Sequence, residues 1–360
     1  MIQNDLGNPY YNFLVLGNGF DLSLSLKSSF SSFLKQETID ENGLFREEEK
    51  NLLLFLLYLR FLSNDDPDGK FFEPVYKGDP NWMDVEGFIK KIATDPKMLD
   101  GIYKAMSFRI GRGVAGGSVD LYVWRIGQFL AKLDLPKKKF DEGTIKNLLA
   151  KDLNDFEARF SKYLLGLLRD RDEHSRKQAA LVEHIMTVAS KVISKCNLEV
   201  INFNYTKNSL GLYGEVNVHG SIDDKIVIGY DSTQKVVAES DIFELSKDWR
   251  KIDVDFFEDS LGDFVESIVV YGHSLGEQDY PLFFELFDKC HLLEEKYQAK
   301  LVVCYSVWDD GEECKKSIES LKMNAAKLLN AYERYLHPEI ARNTIVTKLK
   351  FQGRLIFAKI

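Results

Sequence analysis

Apolar and polar positions alternate along this chain with two different periods. Phe13 to Leu16 is an apolar run of strand length that stops at Gly17 and Gly19, with a helix-compatible segment directly after it. Strand, glycine turn and helix start together match the opening of a nucleotide-binding α/β domain. Phe30, Phe33 and Leu34 then follow at helical spacing, with Ser28 or Ser29 placed to cap that helix. Leu44 to Leu62 predicts a strong helix whose acidic run Glu47–Glu49 suits an N-terminus. The stretch Trp82-Met83-Asp84-Val85-Glu86 leads into another. Helical periodicity continues over 121–133, 145–168 and 178–193.

The period changes at Leu198. Residues 198–203, 215–218, 225–228, 267–271 and 300–305 read as strands. Helices are expected over 280–297 and 312–335, and 344–350 with 354–359 reads as a closing hairpin through Gly353. Strands alternating with helices in this way predict an α/β fold, Rossmann-like, with a mostly parallel sheet. Residues 1–27 and 195–360 would form the nucleotide-binding domain, and 28–194 a large helical insertion.

Composition narrows the function classes. A net charge of −9 argues against a nucleic-acid protein, since phosphate backbones reward clustered Lys and Arg, and Lys137-Lys138-Lys139 is short. Cys196, Cys290, Cys304 and Cys314 show no Cys-x-x-Cys spacing, so buried reduced thiols are expected rather than zinc ligands or disulfides. Residues 1–10 have no signal-peptide pattern, and the most apolar stretch, 52–62, is too short to span a bilayer. A soluble cytoplasmic protein is expected. The glycine-rich stretch 109–118 lacks the Lys-Ser or Lys-Thr pair that closes a phosphate loop, and reads as a mobile connection.

Three groups of residues carry candidate chemistry. The first is the turn Gly17-Asn18-Gly19-Phe20-Asp21, where glycines would let a phosphate approach the backbone amides. The second is Asn202-Phe203-Asn204-Tyr205-Thr206, just past a strand end, where ligands of open α/β sheets sit. His219-Gly220 closes the next short strand. A histidine there suits a general base near neutral pH, and equally suits a structural bond to a carbonyl. The third is Tyr271-Gly272-His273-Ser274-Leu275 with Asp279. It suits ribose and adenine contacts, or a strand-to-helix turn capped by Ser274 or Asp279.

These groups, in this order, resemble a known family. Leu16-Gly17-Asn18-Gly19-Phe20-Asp21-Leu22, Trp82-Met83-Asp84-Val85-Glu86, Phe203-Asn204-Tyr205-Thr206, His219-Gly220 and Gly272-His273-Ser274-Leu275 resemble the AbiH family of phage-defence (abortive infection) proteins. Leu24, Ser25, Ser28 and Phe30 stand where that family usually has a His-Gly pair, a Thr and a Tyr. A more distant resemblance is to the sirtuin superfamily of NAD-binding proteins. It implies a sirtuin-like fold, with Asn204 and His219 flanking the nicotinamide ribose. The paired Cys-x-x-Cys zinc module of the deacetylase branch is absent, so the implied activity is NAD hydrolysis rather than deacylation. The site expected from these resemblances has Asn204 and His219 as catalytic residues. Gly17, Asn18, Gly19, Phe20, Asp21, Thr206, Gly272, Ser274 and Asp279 would contact NAD or a related dinucleotide, with no metal. The expected role is that of an anti-phage effector, with a homo-oligomer or a defence-system protein as possible partner and no membrane. The alternatives are a non-catalytic nucleotide sensor and a phosphoryl-transfer toxin. The latter would need a carboxylate cluster or a basic groove.

Overall fold

The computed structural model describes residues 11–61, 84–109, 121–133, 142–168, 170–192, 197–207, 214–230, 242–250, 265–294, 296–338 and 344–360. Its elements begin with β1 (Tyr11–Leu16), α1 (Gly19–Ser23), α2 (Phe30–Thr38), α3 (Leu52–Phe61), α4 (Val85–Thr94) and α5 (Pro96–Arg109). Next come α6 (Leu121–Lys132), α7 (Glu142–Leu167), α8 (Arg171–Ala189), β2 (Asn197–Asn202), β3 (Gly214–Asn217) and α9 (Lys247–Arg250). The chain closes with β4 (Val265–Tyr271), α10 (Tyr280–Lys289), β5 (Lys300–Tyr305), α11 (Glu312–Leu336), α12 (Ile345–Phe351) and β6 (Leu355–Lys359).

The six strands among the described residues lie in one sheet of order β3-β2-β1-β4-β5-β6, and every pairing between them is parallel. This is the doubly wound Rossmann order, whose reversal falls between β1 and β4. Successive residues of the buried strands serve opposite faces. Phe13, Val15, Ile268 and Val270 pack with Phe283, Phe287, Leu328, Leu329 and Leu349 from α10, α11 and α12. Leu14, Leu16, Val200, Val269, Tyr271 and Val302 pack on the other face with Val182, Ile185 and Ala189 of α8. Burial on both faces explains why these strands are continuous apolar runs instead of alternating ones.

The chain divides into two compact units. One comprises Met1–Lys27, Leu165–Lys225 and Val254–Ile360, the other Ser28–Leu164 and Ile226–Asp253. Against the expected insertion of 28–194, the stretch from Leu165 clusters with the sheet, and 226–253 clusters with the helices. Within the helical unit, Lys247 Nζ lies 2.8 Å from Glu86, and Arg250 pairs with Glu157. Both pairs are nearly buried, and they fasten the returning segment to α4 and α7.

Several expected elements differ. The helix placed over 44–62 begins only at Leu52, because Asn51 is its cap: Leu54 N–H donates to Asn51 Oδ1 at 2.9 Å. Glu49, from the acidic run, instead pairs with Arg159. Residues 225–228 form no strand. The helix expected over 280–297 stops at Lys289, just before His291 takes φ +48. No closing hairpin forms. Ile345 and Leu349, four apart, bury one face of α12, Gly353 at φ +67 reverses the chain, and β6 runs parallel to β5. The N-cap is Ser29, not Ser28, with Ser32 N–H donating to its Oγ. Asp84 caps α4 by accepting Gly87 N–H at 2.7 Å. Cys290, Cys304 and Cys314 are buried free thiols. Cys196, Trp82, Met83, Lys137–Lys139, residues 1–10 and most of the glycine-rich stretch lie outside the described residues. Among those described, no helix is long and apolar enough to cross a membrane.

Candidate functional site

The expected site residues are spread over the carboxyl ends of β1, β2, β3 and β4, all within the sheet-containing unit. At the centre, the turn after β1 meets the turn after β4. Gly17 N–H donates to Tyr271 O at 3.0 Å and Gly19 N–H to Gly272 O at 2.7 Å. A Cβ on Gly19 would lie 2.8 Å from Gly272 Cα. A Cβ on Gly272, which sits at φ +70, would collide with Phe20 N. These glycines are therefore required by the contact of two backbones. Phe20 N–H is donated to Gly17 O. The amides of Gly17, Gly19 and Phe20 thus donate to backbone carbonyls inside the protein, where the expected phosphate cradle would have them face a ligand. Phe20 gives its ring to the core, edge-on to Tyr271 at 6.4 Å. Asn18 and Ser274 are solvent-exposed, and the Ser274 carbonyl accepts Asn324 Nδ2–H.

Asp21 points inward and is almost fully buried. Thr206 Oγ1–H donates to its Oδ2 at 2.6 Å, while Oδ1 is buried without a hydrogen-bond partner among the described residues. Burial raises its carboxyl to about 6 and outweighs the opposing Thr206 bond.

Asn204 is held by a residue that sequence reasoning quoted but gave no role. Asn202, the last residue of β2, donates Nδ2–H to Thr206 O at 2.7 Å and to Glu215 Oε1 at 2.8 Å. A carbonyl and a carboxylate can only accept, so the Asn202 amide orientation is fixed and its Oδ1 is an acceptor. That Oδ1 receives Asn204 N–H at 2.9 Å and Asn204 Nδ2–H at 3.0 Å. Asn204 Oδ1 then faces away from Asn202. It is buried and has no hydrogen-bond partner among the described residues. Asn217, which ends β3, steadies the same turn by donating to Asn204 O at 3.1 Å.

His219 follows β3 and is buried, its Nε2 3.3 Å from Asp279 Oδ1. His273 follows β4, its Nε2 3.3 Å from Asp279 Oδ2. The Phe203 ring packs edge-on against both imidazoles, at centroid distances of 5.4 and 4.4 Å, and stacks on Phe283. Asn204, His219, Thr206, Asp21 and Asp279 therefore all belong to buried or nearly buried hydrogen-bond and ion-pair clusters at the strand ends. His273, Asn202 and Phe203 join them. Among the described residues no group of three or more His, Cys, Asp or Glu is arranged to hold a metal ion.

The model of the family described as bacteriophage abortive infection AbiH matches residues 13–303, a span that contains every residue of these clusters. The chain belongs to the AbiH family. Membership gives it an anti-phage, abortive-infection role. The AbiH match also takes in Asp84 and Glu86, which cap α4 and pair with Lys247 in the helical unit. No curated protein and no solved structure matches the chain.

Proposed function

We propose that this AbiH protein acts in phage defence by binding NAD or a related dinucleotide at the strand ends and hydrolysing its nicotinamide–ribose bond. Asn204 Oδ1 carries this reading. A buried amide oxygen held in a fixed direction without a partner costs on the order of 1–3 kcal/mol, and a ligand's hydroxyl or amide donor would satisfy it. The strand order supports it too, because ligands of doubly wound sheets lie outside the carboxyl ends at the reversal point. Asp21 Oδ1 is a second buried acceptor on the same chain of bonds. Acceptors of this kind suit sugar hydroxyls and carboxamide N–H groups, and they repel phosphate. The pyrophosphate is accordingly not assigned to the Gly17–Phe20 amides.

In the reaction, Asn204 orients the ribose or the attacking water. His219 takes a proton from that water as its oxygen bonds to the anomeric carbon. The carbon–nitrogen bond breaks, its electron pair goes to the pyridine nitrogen, and nicotinamide leaves neutral. The products are nicotinamide, ADP-ribose and one proton.

Cells carrying the protein are challenged with phage while NAD, nicotinamide and ADP-ribose are followed by chromatography. Protection should coincide with NAD loss, and both should vanish in His219→Ala. Protection with steady NAD would overturn hydrolysis and favour a nucleotide-binding regulator.

A further inference from the structure

Asp279 occupies the N-cap of α10, a position where an aspartate ordinarily accepts an N–H from the first turn. Its side chain makes no such cap bond. It turns instead between two imidazoles, with one carboxylate oxygen 3.3 Å from His219 Nε2 and the other 3.3 Å from His273 Nε2. The three side chains are 5–15% exposed. We infer that Asp279 and His273 are positioning residues for His219, a role that rests on His219 being the base of the proposed reaction.

The proton assignment follows from one bond. Leu275 N–H donates to His273 Nδ1 at 2.9 Å, so that nitrogen carries the lone pair and neutral His273 bears its proton on Nε2. His273 is then a donor to Asp279 Oδ2 and not a base. Its contact anchors the carboxylate with Oδ1 towards His219. The 3.3 Å contact does not meet hydrogen-bond geometry, but the carboxylate charge beside Nε2 favours the Nε2–H form of His219, which makes Nδ1 the nitrogen that takes the water's proton. The same carboxylate stabilises the imidazolium that results. Phe203 packs on both rings and restricts their rotation. Among the described contacts, the titratable groups facing His219 are Asp279 and Tyr205, the latter ring 6.2 Å away, and Asp279 in turn faces His273.

The test is a pH titration of the whole chain, nitrogen-labelled at histidine and followed by imidazole nitrogen spectra, so that it needs no substrate. His273 and neutral His219 should both resonate as Nε2–H tautomers in the wild type. Asp279→Asn should lower the titration midpoint of His219 by about one to three pH units, the size expected for loss of an adjacent opposite charge. His273→Ala should lower it by less, and His273→Gln, which keeps a donor near the Nε2 position, should restore part of the shift. On NAD, Asp279→Asn should reduce kcat by roughly 100-fold with KM little changed. An unchanged His219 midpoint in Asp279→Asn, or an Nδ1–H tautomer in the wild type, overturns the inference. If Asp279→Asn does not fold, the wild-type tautomers still decide. A wild type that shows the expected titration but leaves NAD intact keeps the positioning and loses the proposed reaction.

Discussion

Gly19 and Gly272 approach each other backbone to backbone, and this makes an unusual demand on both. A side chain on Gly19 meets main-chain atoms of Gly272, which cannot rotate away as a flexible side chain would. Gly19→Val should therefore destabilise the sheet-containing unit by roughly 1–3 kcal/mol or more, visible in urea unfolding. Unfolding identical to wild type would show that the two turns separate easily. The paired glycines after β1 were legible as a turn. Their reason was not, because the partner backbone comes some 250 residues later in the chain. Asn202 was hidden for a similar reason. Its role is set by what Thr206, Glu215 and Asn204 do around it, and no local pattern marks an asparagine as the holder of another asparagine. Asp21 carries its own expectation. Ionising it in the fold costs free energy, since burial raises its carboxyl from 3.8 to about 6. Its contribution to stability is fully present below about pH 4 and is lost as pH rises through 6. The loss is on the order of 3 kcal/mol for a shift of this size. Asp21→Asn should flatten that part of the pH profile, and an unaltered slope would assign the effect elsewhere.

Helix starts show what sequence pattern does and does not give. Ser29 and Asp84 were readable as starts because a short polar side chain precedes an apolar face. Asp84→Ala should cost about 1 kcal/mol, checked by a thermal melt. The start of α3 was misplaced because Asn51 sits among other polar residues, while the acidic run before it pointed to an earlier start. The final hairpin failed on a different point. A short run with Ile345 and Leu349 four apart reads as strand or helix, and only the covered face of β5 and β6 selects the helix. The pair Glu86–Lys247 had no sequence signal linking its members. Lys247→Met should destabilise the helical unit by ~3–5 kcal/mol, because it leaves the Glu86 carboxylate nearly buried without that cation. Adding Glu86→Leu should recover much of the loss in the same unfolding assay, and no recovery would show that the pair was not the cause.

Across the whole molecule, the α/β class and the parallel sheet were legible from the alternation of apolar strands with helical stretches. The strand order was not, since periodicity says nothing of which strands are neighbours. That order has a consequence during synthesis. β1 emerges first, yet its partners are β2 at 197–202 and β4 at 265–271. At about 5–20 residues per second, a ribosome takes roughly ten seconds or more to deliver the first partner and longer to deliver the second. Until β2 arrives the run Phe13–Leu16 lacks both neighbours, until β4 arrives it lacks one, and the last pairing of Leu16 with Tyr271 brings the two glycine turns together. The site forms only when that late pairing closes. A shortened or interrupted chain that lacks β4 thus cannot bring the two glycine turns together.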